Sequence, residues 1–268
     1  MNIYDCLNEL VEYIEAHLTE EISYDKISNF LGTNKLVAPT IFSLLCGISI
    51  SEYIRNRRLS EAGFDLYNTD NKIIDIALKY QYSNPTAFSR AFEKFHNIKP
   101  SQVKSHPDKL KLYTKMIFEA PKQSINPKME YSIIEMDELV LYGKSIKTTY
   151  KKIKEDAPKF FNEMDEKYAP IYGDIDYGMT SYEDRFNSCN FEYWVLYKNP
   201  IPNFQRYVIP KSKWLQFRID SQKTNDIQDI TQKFYLSFLP SCSYRIKEIP
   251  ELEYYHDGIT DFLVPIEN

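Results

Sequence analysis

Long apolar runs, metal-ligand spacings and glycine-rich loops are missing from this sequence, and each gap argues against a class of function. No stretch approaches the roughly 18 apolar residues that a membrane-spanning helix needs. The seven glycines form neither a dinucleotide-binding nor a phosphate-loop pattern. The four histidines are scattered without ligand spacing. We therefore expect no membrane partner, no metal, no cofactor and no catalytic residue.

Cysteine is also scarce, and its spacing bears on the cellular compartment. The four cysteines lie far apart and form no C-x-x-C pair. Such spacing is typical of ordinary thiols in a reducing compartment. No signal peptide opens the chain. The sequence therefore predicts a cytoplasmic protein.

The charge of the chain is negative overall but unevenly distributed. The 268 residues suit two domains and carry a net charge of −5, an unusual value for a protein that binds nucleic acid. Residues 55–111, however, contain eleven lysines and arginines against six acidic residues. Because electrostatic contact with phosphates is local, a basic face on an acidic protein can still bind DNA.

Residues 71–101 read as two short helices joined by a tight turn. Pro85 suits the first position of the second helix, and Pro100 follows its end. The apolar stripe of this helix consists of Ala87, Phe88, Ala91, Phe92 and Phe95. Its other face keeps small polar and cationic residues. The arrangement is typical of a helix-turn-helix unit.

The stretch IIDIALKYQYSNPTAFSRAFEKFHNIKPS also resembles the second helix-turn-helix of the AraC/XylS family of transcription regulators. The positions that match the family pattern are Ile73, Ile76, Ala77, Tyr82, Phe88, Ser89, Arg90, Phe92 and Pro100. Gln81 and Asn97 stand where the family usually has glycine. The resemblance implies an all-α head with two helix-turn-helix units and promoter DNA as a partner. It also makes RNA polymerase a candidate partner.

The first helix-turn-helix departs from the family pattern at its recognition helix. Pro39 and Thr40 stand where family members usually carry large polar residues. Because proline in a helix interior costs about 3 kcal/mol, we expect this helix to begin late, near Pro39. The sequence therefore predicts a DNA footprint dominated by one major-groove segment.

The second recognition helix supplies the candidate DNA contacts. Arginine can bond bidentately to guanine, serine and threonine are permissive, and lysine suits phosphate. The candidates are Thr86, Ser89 and Arg90 for base edges and Lys94, Lys99 and Arg55 for phosphates. An ion pair with Asp75 or Glu93 is the structural alternative for Arg90, and a solvated helix face is the alternative for Arg55.

From Met129 onward the pattern changes to strands. The predicted strands are YSIIEM, LVLYGKSI, FEYWVLY, FQRYVIP, WLQFRI, LEYYH and DFLVPI, interrupted by helices near Glu155–Lys167 and Ile227–Phe238. This is an α+β pattern. The segments YGMTSYEDR, YVIPKSKWLQFRI and FLPSCSYRIKEIPELEYY resemble the GyrI-like (BmrR-type) small-molecule-binding domain. The resemblance implies a duplicated β-α-β-β unit with a ligand groove between its halves.

These patterns predict three segments. Residues 1–106 form the AraC-type DNA-binding domain, 107–128 a linker with one short helical piece near Leu110–Phe118, and 129–268 the GyrI-like effector-binding domain.

The stretch Pro250–Tyr255 carries the candidate ligand group. The resemblance implies that Glu253 lies in an aromatic groove and meets a cationic or amphipathic effector, as a carboxylate among aromatic rings favours cations. The other candidates for this groove are Tyr255, Tyr193, Trp194, Trp214, Phe217, Tyr182 and Tyr235. For each aromatic residue alone, core packing is the alternative, and for Glu253 a purely structural role.

Two other functions fit the same sequence. Some GyrI-like proteins hydrolyse strained small molecules with a groove glutamate and tyrosine, so the second domain could be a hydrolase. Alternatively, the chain could be a ligand-binding protein with weakened sequence-specific DNA binding, which Pro39 and Thr40 would explain. A regulator that binds DNA and a small amphipathic, cationic effector is the function that the sequence favours.

Overall fold

The computed structural model describes residues 3–30, 37–119 and 129–267. The chain divides into two compact units. The first comprises Met1–Phe30 and Ile50–Pro121, and the second comprises Leu31–Ser49 and Lys122–Asn268. Among the described helices, none has both the length and the apolar character that crossing a bilayer requires.

The first unit consists of helices around a small apolar core. Its helices are α1 (Ile3–Ala16), α2 (Tyr24–Phe30), α4 (Ile50–Asn68), α5 (Ile73–Lys79) and α6 (Pro85–His96). The helix α3 (Val37–Cys46) lies between α2 and α4 in the chain but belongs to the second unit. The stripes of α4, α5 and α6 meet in a core that includes Leu59, Ala62, Ile76, Ala77, Phe88 and Phe92. This core fixes the angle at which α6 stands on α4 and α5.

The recognition helix of the first half, α3, begins two residues before the predicted start at Pro39. Pro39 is the third residue of the helix, where its missing N–H would have had no partner in the helix. The longer turn expected before it falls on residues 31–36, which lie outside the described residues.

After α6 the chain runs as an extended strap, residues 110–119, along the first unit. The prediction of a short helix near Leu110–Phe118 is therefore wrong. The backbone N–H of Tyr113 donates to Ser60 Oγ at 3.0 Å, and that of Phe118 donates to Asn8 Oδ1 at 2.8 Å. These side-chain acceptors satisfy the backbone in place of helical hydrogen bonds, which explains the extended conformation.

Besides α3, the second unit contains an eight-stranded antiparallel sheet and two further helices. The strands are β1 (Ser132–Met136), β2 (Leu139–Thr149), β3 (Tyr177–Ser181), β4 (Asn190–Tyr197), β5 (Gln205–Ile209), β6 (Ser212–Ile219), β7 (Glu251–His256) and β8 (Ile259–Ile266). The helices are α7 (Ile153–Tyr172) and α8 (Thr224–Lys233), the latter continued by a π-helical turn at Phe234–Phe238. The sequence predicted seven of these strands and missed β3.

The strand order, β1-β6-β8-β7-β3-β4-β2-β5, reveals a duplication. Within the second unit, the motif β2-α7-β3-β4 is followed by a second copy, β6-α8-β7-β8. This is the predicted duplicated β-α-β-β arrangement. The short strands β1 and β5 are exchanged, because β1 pairs with β6 and β5 pairs with β2. The two halves meet where β3 pairs with β7, so the strand missed from the sequence forms half of the central seam.

The two faces of the sheet have different contents. One face carries an apolar core that includes Leu141, Met179, Trp194, Leu196, Trp214, Leu252 and Leu263. The helices α7 and α8 contact strands β2, β4 and β8 and also contact each other. Since side chains alternate along a strand, the odd-numbered residues of β7 lie on the face opposite that core. Glu251, Glu253 and Tyr255 are these residues.

Candidate functional site

The ends of α6 and the turn before it are specified by four local signals. The Asn84 side chain caps the helix by accepting from the Ala87 N–H at 2.7 Å, and Pro85 follows at the first helical position. Asn97 ends the helix with φ of 63°, and Gln81 has φ of 66° in the turn after α5. Both residues thus adopt the left-handed backbone for which the family pattern uses glycine.

One face of α6 is buried and the other is exposed. Phe88 and Phe92 are fully buried. The exposed residues Thr86, Arg90 and Lys94 follow each other at intervals of four and therefore share a face.

Two more candidates adjoin this face. Ser89 is half-buried on α6, and Lys99 is exposed just beyond the helix. In the described part of the chain no carboxylate pairs with Arg90, so neither Asp75 nor Glu93 holds it in an ion pair.

The arginines of α4 divide into one exposed and two structural side chains. Arg55 is exposed and lies 3.9 Å from Glu52. Arg57 is buried and donates to Glu15 and Glu61, and Arg58 donates to two backbone carbonyls in the segment after α1, those of Leu18 and Glu20. Only Arg55 of the three has a side chain available for phosphate.

The second unit contains a groove of about 460 Å³ between α7 and α8 above the sheet. Its floor is formed by Tyr193, Glu253 and Tyr255, and its sides by helix and loop residues. The side residues are Lys154, Ala157, Pro158, Phe161, Asn162, Gln222, Lys223, Asn225, Ile227 and Gln228. A volume of this size suits a molecule of several rings.

The floor of the groove is a carboxylate held by two phenols. Tyr255 donates its hydroxyl to Glu253 Oε2, and the Tyr193 hydroxyl donates to the same oxygen at 3.4 Å. The two hydroxyls lie 3.0 Å apart. Glu253 is 8% exposed, so its charged form has lost nearly all contact with bulk water. Both hydroxyls donate to the same carboxylate oxygen, and among the described residues no hydrogen-bond donor reaches Oε1.

Gly178 makes room for this cluster. It lies opposite Glu253 in the β3–β7 ladder. A Cβ atom at this position would lie 2.5 Å from the Tyr255 hydroxyl and 2.6 Å from Glu253 Oε2. The side-chain cluster therefore fills the space above a glycine backbone, and any larger residue at position 178 would displace it.

Burial shifts the titration of all three floor residues. Desolvation raises the pKa of the Glu253 carboxyl above its ordinary value, although the hydrogen bonds from Tyr255 and Tyr193 partly oppose this. Burial also raises the pKa of the Tyr193 and Tyr255 hydroxyls, and the nearby Glu253 charge raises it further. The tyrosines therefore remain hydrogen-bond donors at neutral pH.

Glu251 lies beside Glu253 on the same face of β7, but it has other partners. The Tyr235 hydroxyl donates to Glu251, and Arg185 Nη2 lies 3.8 Å from its carboxylate. Tyr182 stacks against that guanidinium, with 3.6 Å between Arg185 Cζ and the ring centre. Thus Tyr235 and Tyr182, both predicted to line the groove, surround Glu251 instead.

The two tryptophans predicted for the groove lie on the opposite face of the sheet. Trp194 belongs to the apolar core on that face and donates its Nε1–H to Ser181 Oγ at 3.0 Å, and Trp214 is fully buried in the same core. Strand alternation is the reason, because Trp194 follows Tyr193 directly and must point the other way. Placing them in the groove was therefore wrong.

Phe217 was also predicted to line the groove. It lies on the groove face of β6, but it packs with Phe234, Phe238 and Phe262 instead of lining the groove.

Sequence reasoning missed Gly178 and the helical sides of the groove. Phe161 of α7 meets the Tyr255 ring edge-on at 5.3 Å. The polar side residues are mostly amides and lysines, which carry no motif. The sequence contained one signal for Gly178, since a lone glycine in a strand often marks a site where another group closely approaches the backbone.

Comparisons with known proteins bear on the helical N-terminal part of the chain. A model of the family described as "Helix-turn-helix domain" matches residues 30–106. The transcriptional activator AarP of Providencia stuartii is 37% identical over 95 residues, which cover 35% of this chain and 70% of that protein. This chain belongs to the AraC/XylS family of helix-turn-helix transcription regulators. The uncharacterized regulator YbfP of Bacillus subtilis is 38% identical over 99 residues, covering 37% of this chain but only 34% of its own length.

A solved structure overlaps a larger part of the chain. SAV2435, crystallised with tetraphenylphosphonium, is 16% identical with a TM-score of 0.44, covering 52% of this chain and 95% of its own.

Proposed function

We propose that this AraC/XylS regulator reads promoter DNA with α6 and binds a small amphipathic effector in the groove over Glu253. The observation that carries the effector site is a buried carboxylate at the floor of a groove of about 460 Å³. A buried carboxylate without a cation is costly, and among the described residues its hydrogen-bond donors are two phenols. A ligand that supplies a positive or strongly donating group would offset that cost.

The other walls set the rest of the ligand chemistry. Tyr193, Tyr255 and Phe161 present aromatic surface, which favours flat rings and cations. Lys154 and Lys223 flank the groove, so cationic groups would avoid this side and point to the floor. The effector is therefore a ring system with its cationic or donating group facing Glu253.

The DNA-binding half of the proposal is supported by the free face of α6. In this proposal the exposed Arg90 reads a base edge, with Thr86 and Ser89 beside it. Lys94, Lys99 and Arg55 are exposed cations suited to phosphate. A regulator of this kind works beside the DNA, and we place it in the cytoplasm.

Calorimetry with two matched dyes tests the effector site. One dye carries a trimethylammonium group, and the other carries a tert-butyl group of the same shape. Glu253→Gln should weaken binding of the cationic dye by about 2–3 kcal/mol and leave binding of the neutral dye nearly unchanged, since only the charge is removed. Equal losses for both dyes, or none, would make Glu253 a structural residue.

The same variant also separates a regulator from a hydrolase. If the wild-type protein consumes an electrophilic ligand and Glu253→Gln abolishes the turnover, Glu253 acts as an acid-base group and the groove is an active site. Stable binding without turnover supports the effector site.

A further inference from the structure

The first recognition helix, α3, is buried along its N-terminal half. The six consecutive residues 38–43 are all buried, although a helix that lies on a surface keeps one face exposed. Thr40 is 1% exposed, and it occupies a position where the family usually carries a polar DNA reader. The helix belongs to the second unit, so its partners are to be sought there.

Arg185 provides the first anchor for α3. Its Nη1 donates to Thr40 Oγ1 at 2.7 Å, across 145 positions of sequence. The guanidinium is itself fixed, because it stacks on the Tyr182 ring and lies 3.8 Å from Glu251. A buried guanidinium with one planar stack and one carboxylate has little freedom to turn away from Thr40.

The loop that carries Arg185 also holds the chain just after α3, through the carbonyl of Asn187. The Asp184 carboxylate accepts from the Asn187 N–H at 3.0 Å and from the Asn187 side chain at 2.6 Å, which closes a tight turn. The carbonyl of Asn187 then accepts from Ser49 Oγ at 3.3 Å, just beyond the end of α3. Contacts at both ends of the helix define its position better than one contact would.

The C-terminal end of α3 packs against Lys151, in the turn between β2 and α7. Gly47 ends the helix with φ of 66°, and its N–H donates to Ser43 O at 2.8 Å. A Cβ atom there would overlap the Lys151 side chain, so glycine serves both the turn and the close approach. Burial raises the pKa of the Cys46 thiol to about 12.

We propose that the loop 182–189 of the second unit is a docking site for α3, with Arg185 as its anchor. Docking explains why Pro39 and Thr40 replace long polar readers, because these residues must fit into a buried contact. While α3 is docked, its buried residues 38–43 cannot enter a major groove. The partner of this surface is a helix of the same chain.

Amide hydrogen exchange of the full-length protein, read peptide by peptide, tests the docking. Thr40→Val keeps the shape of the side chain but removes the acceptor for Arg185. Arg185→Lys keeps the charge but removes the planar donor. Each should speed exchange in residues 38–46 about tenfold, because an anchored helix opens more often when its charged hydrogen bond is lost.

Ser43→Ala is the matched control, since the Ser43 hydroxyl is buried on the same helix without a hydrogen-bond partner among the described residues. It should leave exchange in residues 38–46 unchanged. Residues 85–96 report the first unit and should not change in any variant. If Thr40→Val and Arg185→Lys exchange like the wild type, or if Ser43→Ala matches them, Arg185 does not hold α3 and the proposal fails.

Discussion

The exposed face of α6 and the floor of the groove both carry charged side chains, but they differ in burial. Arg90 and Lys94 stand in solvent, whereas Glu253 is 8% exposed and bonded to two phenols. Exposed charges act over a distance and are screened by salt. A buried charge acts only on what touches it, and its ionisation depends on its surroundings. The first surface should respond to ionic strength and the second to pH and shape.

The largest expected effect comes from breaking the shape of the groove floor. Gly178→Ala places a methyl group 2.5 Å from the Tyr255 hydroxyl, so the cluster must move. Overpacking of this kind costs about 1–3 kcal/mol of stability, and affinity for the cationic dye should fall more than tenfold. Denaturant melts and calorimetry measure the two losses.

The double variant Gly178→Ala with Tyr255→Phe controls this result. Removing the hydroxyl removes the nearest clash, so stability should recover in part. Full additivity of the two single losses would show that the methyl group does not act through Tyr255.

On the exposed surface, Arg90→Ala should cost about 1–3 kcal/mol on the preferred operator and relax discrimination at one base pair. Lys94→Ala should weaken all sequences alike and lower the salt slope by about one. Gel shifts on matched and mismatched operators at several salt concentrations measure both. Equal, non-selective losses would show that Arg90 is not a base reader.

The smallest effect is the pH dependence of the buried surface. Burial raises the pKa of Glu253 above its ordinary value of 4.5, so the folded state prefers the protonated form. The protonated Glu253 therefore stabilises the folded state. This stabilisation is complete below pH 4.5, and it is lost as the pH rises through the raised pKa of the folded state. The slope is at most about 1.4 kcal/mol per pH unit.

Thermal melts of the wild type and Glu253→Gln across this window isolate the contribution, because glutamine does not titrate. The stability difference between the two proteins should shift in favour of Glu253→Gln as pH rises. A difference that stays constant would mean that Glu253 is ionised as easily in the folded state as in the unfolded state.

The recognition helix was largely predictable, and the groove was not. Asn84, Pro85 and Asn97 act on their neighbours in sequence, so local rules predict α6 and its ends. The groove depends on which residues of eight strands share a face. Alternation already forbids Tyr193 and Trp194 from sharing one, but the correct face follows only from the packing of both halves. The contact between Thr40 and Arg185 spans 145 positions, and no local pattern predicts it.

The exchange of β1 and β5 between the two halves has a consequence for how the second unit forms during synthesis. Ser132 pairs with Gln216, and Leu139 pairs with Ile209, so the first strands cannot complete their ladders until residues near 219 have emerged. The central seam between β3 and β7 closes later still. Pairings so distant in sequence slow folding and leave strand edges open meanwhile. Each half thus depends on the other, and the sheet should fold as one cooperative body only after β7 and β8 have been synthesised.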